Sequence, residues 1–383
     1  MATGYLVGTG QNPHIAQNLS AVFHNSSFQG MPTVGYPPPW SLLLGLVYLV
    51  SYKLIPNLLL YNLAIKIPII AGNISLAYLV ANILRKLGAD EKVARKARVF
   101  LLFNPFLLYA TSAWGQFDSI VALLSLLALL HFSEGKLTSS AILLALAFSF
   151  KPTALPLVPA VFIYLRRRSL PRVFQYFSIF SLCTFLFVVG PFIILHWDPT
   201  PILQHWNGHF VEGGGMSFMT FLELTQNSYQ LPGLWWLVGM LWVPALGIAA
   251  FALKPRGEGL LDLLAKSTAM IIVFFLSRSW LSEPNIILVL PFVLILTSMG
   301  ALDRRALTAV WVLPLVFGFF NTSMFQFLFP SMPALMDRIL QLSDFFRTAR
   351  LVSRTIVVIP WLIVGGWIVS HCLRNTHVSR IQT

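Results

Sequence analysis

NPFLLYATSAWGQFDS, residues 104–119, places Asn104, Trp114, Gln116 and Asp118 between two strongly apolar runs. An ionised carboxylate within a membrane segment costs about 2.5–3.5 kcal/mol on insertion scales, so one that is retained usually faces a cavity and has a task there. Most other features of the chain can be placed by asking which side of a membrane Asp118 faces.

The rest of the chain fits that setting. Its 383 residues are 57% hydrophobic and 10% charged, with mean hydropathy +0.76. A soluble domain carries about 25% charged residues. Apolar runs of roughly 15–24 residues recur along the whole length, and lipid admits only helices or closed barrels, whose backbone groups are all paired. The expected fold is therefore all-α: a polytopic membrane protein of about eleven transmembrane helices plus one short re-entrant or interfacial helix.

The formal net charge of +13 raises the question of nucleic acid. Its distribution argues against it, because the basic residues cluster in short loops between apolar runs, as the positive-inside rule describes. Arg85, Lys86, Lys92, Arg95, Lys96 and Arg98 form one group, and Arg166, Arg167, Arg168 and Arg172 a second. Lys254, Arg256 and Lys266 mark a third, and Arg304 with Arg305 a fourth. With these placed in the cytoplasm, candidate spans fall at 62–84, 97–113, 117–133, 137–150, 153–166, 173–196, 232–253, 267–281, 284–300, 306–322 and 355–373. Alternation then puts Trp114–Asp118, Lys151, 197–230 and Arg278–Asn285 outside.

Residues 40–55 are apolar but fall short of the ~20 residues a straight span needs. Pro37–Pro39 before them and Pro56 after them mark a rigid start and a stop. The expectation is an external segment 1–61 with a short helix at 40–55, followed by a transmembrane domain 62–383 with external loops 197–230 and 323–354. Residues 1–35 are polar and show no signal peptide, so targeting is expected to start at a later helix or upstream of Met1. Loop 197–230 carries His205, His209, Glu212 and Gly213–Gly215, which suits a mobile active-site loop. Met332–Arg354 alternates charged and apolar residues as an amphipathic helix at the outer interface would.

Transfer of a sugar from a lipid phosphate needs a carboxylate, cations for the departing phosphate and a membrane-facing groove. Asp118, at the start of an apolar run, reads either as a helix cap or as a site carboxylate. Lys151, in FSFKPTALP, reads as snorkelling to headgroups or as a site cation. In SRSWLSEPN, Arg278 and Glu283 form a local ion pair or divide phosphate and sugar contacts between them. His205 and His209 are four residues apart, but further ligands at good spacing are lacking, so no zinc site is expected there; no cofactor is expected, and a requirement for a divalent ion stays open. Cys183 and Cys372 read as inert core residues.

GYPPPW at 35–40, NPFLLYATSAWGQFDS at 104–119, FSFKPTALP at 148–156 and SRSWLSEPN at 277–285 together resemble the GT-C superfamily of polyprenyl-phosphate-sugar-dependent glycosyltransferases. They look closest to the dolichyl-phosphate-glucose-dependent glucosyltransferases of N-glycan assembly and their archaeal relatives. The resemblance implies that GYPPPW and the helix after it belong to the first external loop, with Lys66 near the outer start of the next span. Histidine and asparagine occupy the matching family stretch, so Asp118 is a departure from the pattern. The family's catalytic aspartate follows its first transmembrane helix, and neither is found here. That makes Asp118 a doubtful base and leaves an inactive fragment as one expectation.

The expected activity is inverting transfer of a hexose, glucose or mannose, from a polyprenyl- or dolichyl-phosphate donor. The acceptor is a lipid-linked oligosaccharide or a protein, on the extracytoplasmic face of a prokaryotic (archaeal) plasma membrane or of the endoplasmic reticulum. Asp118, Gln116 and Glu283 are the expected sugar or acceptor contacts. Arg278 and Lys151, backed by Lys66 and His209, are the expected phosphate contacts. A multi-pass transporter or lipid flippase is the alternative reading.

Overall fold

A computed structural model describes residues 1–25, 28–29, 34–210, 212–225, 236–253, 259–321 and 332–374. These residues are mostly helical, as expected for an all-α membrane chain. After the short helix Ala2–Gly8, the main elements begin with α1 (Pro38–Val50), α2 (Leu58–Lys86) and α3 (Glu91–Leu102). Next come α4 (Asp118–Ser133), α5 (Leu137–Phe150), α6 (Leu157–Arg168), α7 (Leu170–Val188) and α8 (Thr200–Phe210). The chain continues through β1 (Gly214–Gly215), α9 (Trp242–Ala252), α10 (Leu260–Ser277) and β2 (Trp280–Leu281). It closes with α11 (Leu290–Ser298), α12 (Arg304–Phe319), α13 (Pro333–Phe345) and α14 (Arg347–Arg374). The two strands pair in parallel.

Helix falls in every apolar run singled out in the sequence, but the runs differ in length. By length and composition, four helices among the described residues can cross a membrane: Leu58–Lys86, Leu170–Ile194, Leu260–Ser277 and Arg347–Leu373. A fifth candidate is the pair Glu91–Ala113 and Asp118–Ser133, bent by 115° at its break. Pro38–Val50, Leu137–Phe150, Trp236–Ala252 and Glu283–Ser298 are shorter apolar helices. Prolines account for several of the breaks: Pro152 opens a short turn before the 153–166 run and Pro156 divides that run, and Pro284 and Pro291 start the two halves of the 284–300 run.

Local chemistry sets the boundaries. Pro37 caps α1 with Pro38 at its first position. The 13 residues of α1, at ~1.5 Å each, reach about 20 Å, well short of a ~30 Å hydrocarbon core. Asn57 caps α2 by accepting from Leu60 N, and Arg85 and Lys86 lie in its last turn, where a helix favours cations. Asp303 caps α12 through Arg305 N. The Glu283–Leu288 turn and α11 form the middle of the bundle, with Ile286–Leu290 fully buried. In contrast, the Leu170–Ile194 span is only 11% buried and forms an outer face.

Three sequence expectations change. Lys254 and Arg256 lie outside the described residues, and Lys266 marks no loop. It is buried within α10, and its ammonium donates to Cys372 O at the end of α14 (2.8 Å). The expected amphipathic helix at 332–354 breaks at Phe346, because residues from Arg347 onward continue as the long helix α14. The described residues of 200–225 are largely helix, at Thr200–Phe210 and Phe221–Thr225, with the two-residue strand Gly214–Gly215, rather than an open loop.

The basic turns gather at one end. Lys86 and Lys136 both pair with Glu134, which brings the α2–α3 and α4–α5 turns together. Tyr164, just before the 166–168 arginines, donates to Asp262 in the first turn of α10 (2.6 Å). His371, near the end of α14, bonds Ala301 O beside Arg304 (3.0 Å). At its other end, α10 carries Arg278, whose charge acts on Lys151. Asp118 and Lys151 thus sit at the opposite end of the bundle from the basic turns.

Candidate functional site

The site begins with the turn between α3 and α4. Asn104 caps a short helix at Pro105–Leu107, and the chain then widens into a π-helix over Leu108–Ala113. Thr111 Oγ1 donates to Leu107 O (2.5 Å) and accepts from Asn73 Nδ2 of α2 (2.7 Å). Lys66, also on α2, donates to Ala113 O at the end of the π-helix (2.8 Å). Gly115 then turns the chain at φ +90°, a backbone state that costs other residues about 1–2 kcal/mol. Gln116 and Phe117 follow, and α4 starts at Asp118.

Asp118 does not cap that helix. Phe117 is the capping residue and no side-chain cap bond forms. Instead, Asp118 is fully buried and accepts from Lys151 Nζ at both carboxylate oxygens, each at 2.8 Å. Lys151 does not snorkel; it too is buried.

The geometry of the helical hairpin explains the pairing. Helices α4 and α5 are antiparallel neighbours turned at Gly135 (φ +77°), and Asp118 and Lys151 lie at nearly equal distances along the chain from it. The pair therefore ends level across the hairpin. Each charge also sits at the favourable end of its helix, the anion at the start of α4 and the cation just after α5. Pro152 disfavours helix at the residue before it, and Lys151 is extended at φ −155°, ψ 124°.

GYPPPW closes over this pair. The Tyr36 ring lies 5.4 Å from Lys151 Nζ and the Phe117 ring 5.6 Å, so two aromatic faces meet the ammonium. Trp40 stacks on Phe117 at 4.3 Å, and Tyr36 meets Phe117 edge-on at 5.0 Å. Lys151 is thus enclosed by a carboxylate and two rings from two stretches of sequence separate from its own.

The fourth stretch brings Arg278 and Glu283, which do not pair with each other. Glu283 is buried at the start of its turn and accepts from Asn321 Nδ2 (3.1 Å). Arg278 rests over the Phe274 ring at 5.3 Å and makes no hydrogen bond or ion pair among the described residues. Its partial burial lowers the guanidinium pKa to about 10, which leaves it cationic at neutral pH.

Of the expected site residues, Lys66, Gln116, Asp118, Lys151, Arg278 and Glu283 all lie at this end of the bundle. The Gln116 side chain is half-buried and makes no hydrogen bond among the described residues. His209 falls on α8, but its side chain lies outside the described residues. Sequence reasoning missed Tyr36 and Phe117 as walls of the lysine enclosure, although both stand inside stretches it had marked. It also missed Asn321, Ser279 and the Gly214–Gly215 strand. No protein-family model matches the chain, and no curated protein matches it.

Proposed function

We propose that the chain is a membrane hexosyltransferase that takes glucose or mannose from a polyprenyl- or dolichyl-phosphate donor. In this reading the eleven helical runs span in alternation, the basic turns face the cytoplasm and the Asp118 end faces outward. The acceptor is a lipid-linked oligosaccharide or a protein, and the membrane is a prokaryotic plasma membrane or the endoplasmic reticulum. One observation carries the reading. Four stretches far apart in sequence meet at the end of the bundle away from the basic turns, and among the described residues they leave Arg278 there as a cation without a counter-charge.

The chemistry follows from the charges. When an acceptor hydroxyl attacks the anomeric carbon, the glycosyl–oxygen bond breaks, the hydroxyl's proton passes to solvent water, and the lipid phosphate leaves with one more negative charge. An arginine fork held near that phosphate stabilises the developing charge more than the ground state. Lys151 is less suited to this, because Asp118 already neutralises it. Asp118 in turn has both oxygens engaged, so the reading gives it a positioning role and not that of proton acceptor. Gln116, whose amide makes no hydrogen bond among the described residues, is the sugar or acceptor contact. Attack opposite the leaving phosphate inverts the anomeric carbon.

The test is transfer from labelled polyprenyl-phosphate glucose and mannose by purified protein in nanodiscs, with Arg278→Ala beside it, and solute uptake into vesicles as a parallel assay. Transfer that is lost in the variant supports the reading. Uptake without transfer, or transfer indifferent to Arg278→Ala, overturns it.

A further inference from the structure

Among the described residues the Arg278 guanidinium meets only the Phe274 ring, with no hydrogen bond or ion pair, so the backbone that carries it sets its place. That backbone is fastened by Glu212–Ser217. Gly214 N donates to Ser279 O (2.9 Å) and Met216 N to Leu281 O (2.7 Å), which gives the parallel pairing of β1 with β2. Two hydroxyls reinforce it: Ser279 Oγ donates to Glu212 O (2.7 Å) and Ser217 Oγ to Ser279 O (2.5 Å). Gly215 sits at φ +62°, and a Cβ there would lie 2.3 Å from Leu281 O. Only glycine permits both that conformation and that approach.

The stretch just before this one is held to the opposite wall. Trp206 Nε1 on α8 donates to Gly35 O (2.8 Å), and Gly35 precedes Tyr36, whose ring faces Lys151. The chain from α8 to Ser217 therefore touches both the aromatic wall and the turn bearing Arg278.

We propose that Glu212–Ser217 is a latch that holds Arg278 at the site, with Gly215 and Ser279 as positioning residues. This rests on Arg278 being the phosphate-facing cation of the reading above. It also replaces a freely mobile loop with one fixed at both ends.

The test uses the full chain in nanodiscs with Gly215→Val, Ser279→Ala and the conservative Ser279→Thr. Two readouts need no activity: the rate of Arg278 modification by phenylglyoxal relative to exposed Arg304, and amide exchange at Ser279–Leu281. Loss of the latch in Gly215→Val raises both about tenfold, the scale of one or two hydrogen bonds. Ser279→Ala shows a smaller rise, and Ser279→Thr stays near the unaltered protein. The donor kcat/KM falls in the same order.

Unchanged labelling and exchange overturn the latch, whatever happens to transfer. Raised labelling with unaltered transfer kinetics overturns the positioning role while leaving Arg278 to its own test. If the unaltered chain transfers no sugar, the proposed function fails and the latch is judged on labelling and exchange. Should Gly215→Val not fold, the Ser279 pair carries the test, since each variant alters one hydroxyl-bearing side chain.

Discussion

Replacing Asp118 with Asn leaves the Lys151 ammonium buried without a counter-charge. Both groups are almost inaccessible, with side-chain exposures of 8% for Lys151 and 0% for Asp118. Removing one member of such a pair costs about 3–5 kcal/mol, because the remaining charge keeps its desolvation cost and loses its compensation. An unfolding entropy of ~2.1 cal/mol/K per residue over 383 residues gives about 0.8 kcal/mol/K. A loss of ~3–5 kcal/mol then lowers Tm by about 4–6 °C, and by more if detergent-unfolded chains retain helix. Thermal unfolding in detergent of Asp118→Asn, Lys151→Met and the double variant Asp118→Leu/Lys151→Met measures this directly. Each single change should lose the full amount, and the double should recover most of it, since a buried pair is often replaceable by apolar side chains. A double variant no more stable than either single, or a single loss under about 1 kcal/mol, refutes the buried-pair argument. The double variant should also keep measurable transfer if the pair positions and does not react.

Other consequences follow from the same geometry. Gly115→Val forces a β-branched residue to φ +90° and should cost at least ~1–2 kcal/mol, read as a lower Tm; no neighbour lies within 4 Å of a Cβ there, so an equal loss in Gly115→Ala would attribute the effect to backbone strain. Glu134 has its pKa pulled from 4.5 to about 2 by hydrogen bonds from Lys136 and then Lys86. A depressed folded pKa means the pair's stabilisation is present above pH 4.5 and is lost as pH falls toward 2. Glu134→Gln should flatten that part of the stability–pH curve, lowering stability at pH 7–9 and leaving it unchanged near pH 2, and an unaltered acid limb would count against the contact. Arg278→Lys keeps the charge but loses the fork, so it should reduce donor kcat/KM about 10- to 100-fold, with Tm within a degree or two.

Much of the fold could be read in advance because the apolar runs are long and the basic turns distinct. Lys86 and Glu134, separated by α3 and α4, meet at one end, as alternation of the spans 62–84, 97–113, 117–133 and 137–150 implies for their two turns. The lengths were harder to read. The runs at 153–166 and 284–300 hold prolines that divide them into a turn and a shorter helix, which average hydropathy does not register. Lys266 was misplaced for a related reason: a lone lysine among apolar residues resembles a loop marker until a carbonyl 106 residues away, Cys372 O, supplies its acceptor.

In WGQFDS, the residue types determined that a carboxylate stands at the edge of an apolar helix and that Gly115 turns the chain there. The spacing of Asp118 and Lys151 about Gly135 also lies in the sequence, since a short turn between helices of similar length sets the two residues level. What the tertiary structure decided is how the charges divide. Asp118 takes Lys151, Tyr36 and Phe117 enclose that pair, and Arg278 is left, among the described residues, without a counter-charge on a backbone held by Gly214–Met216. A charge pattern along a chain does not state which anion meets which cation. That depends on which helix ends come within about 3 Å of each other, and packing alone brings them there.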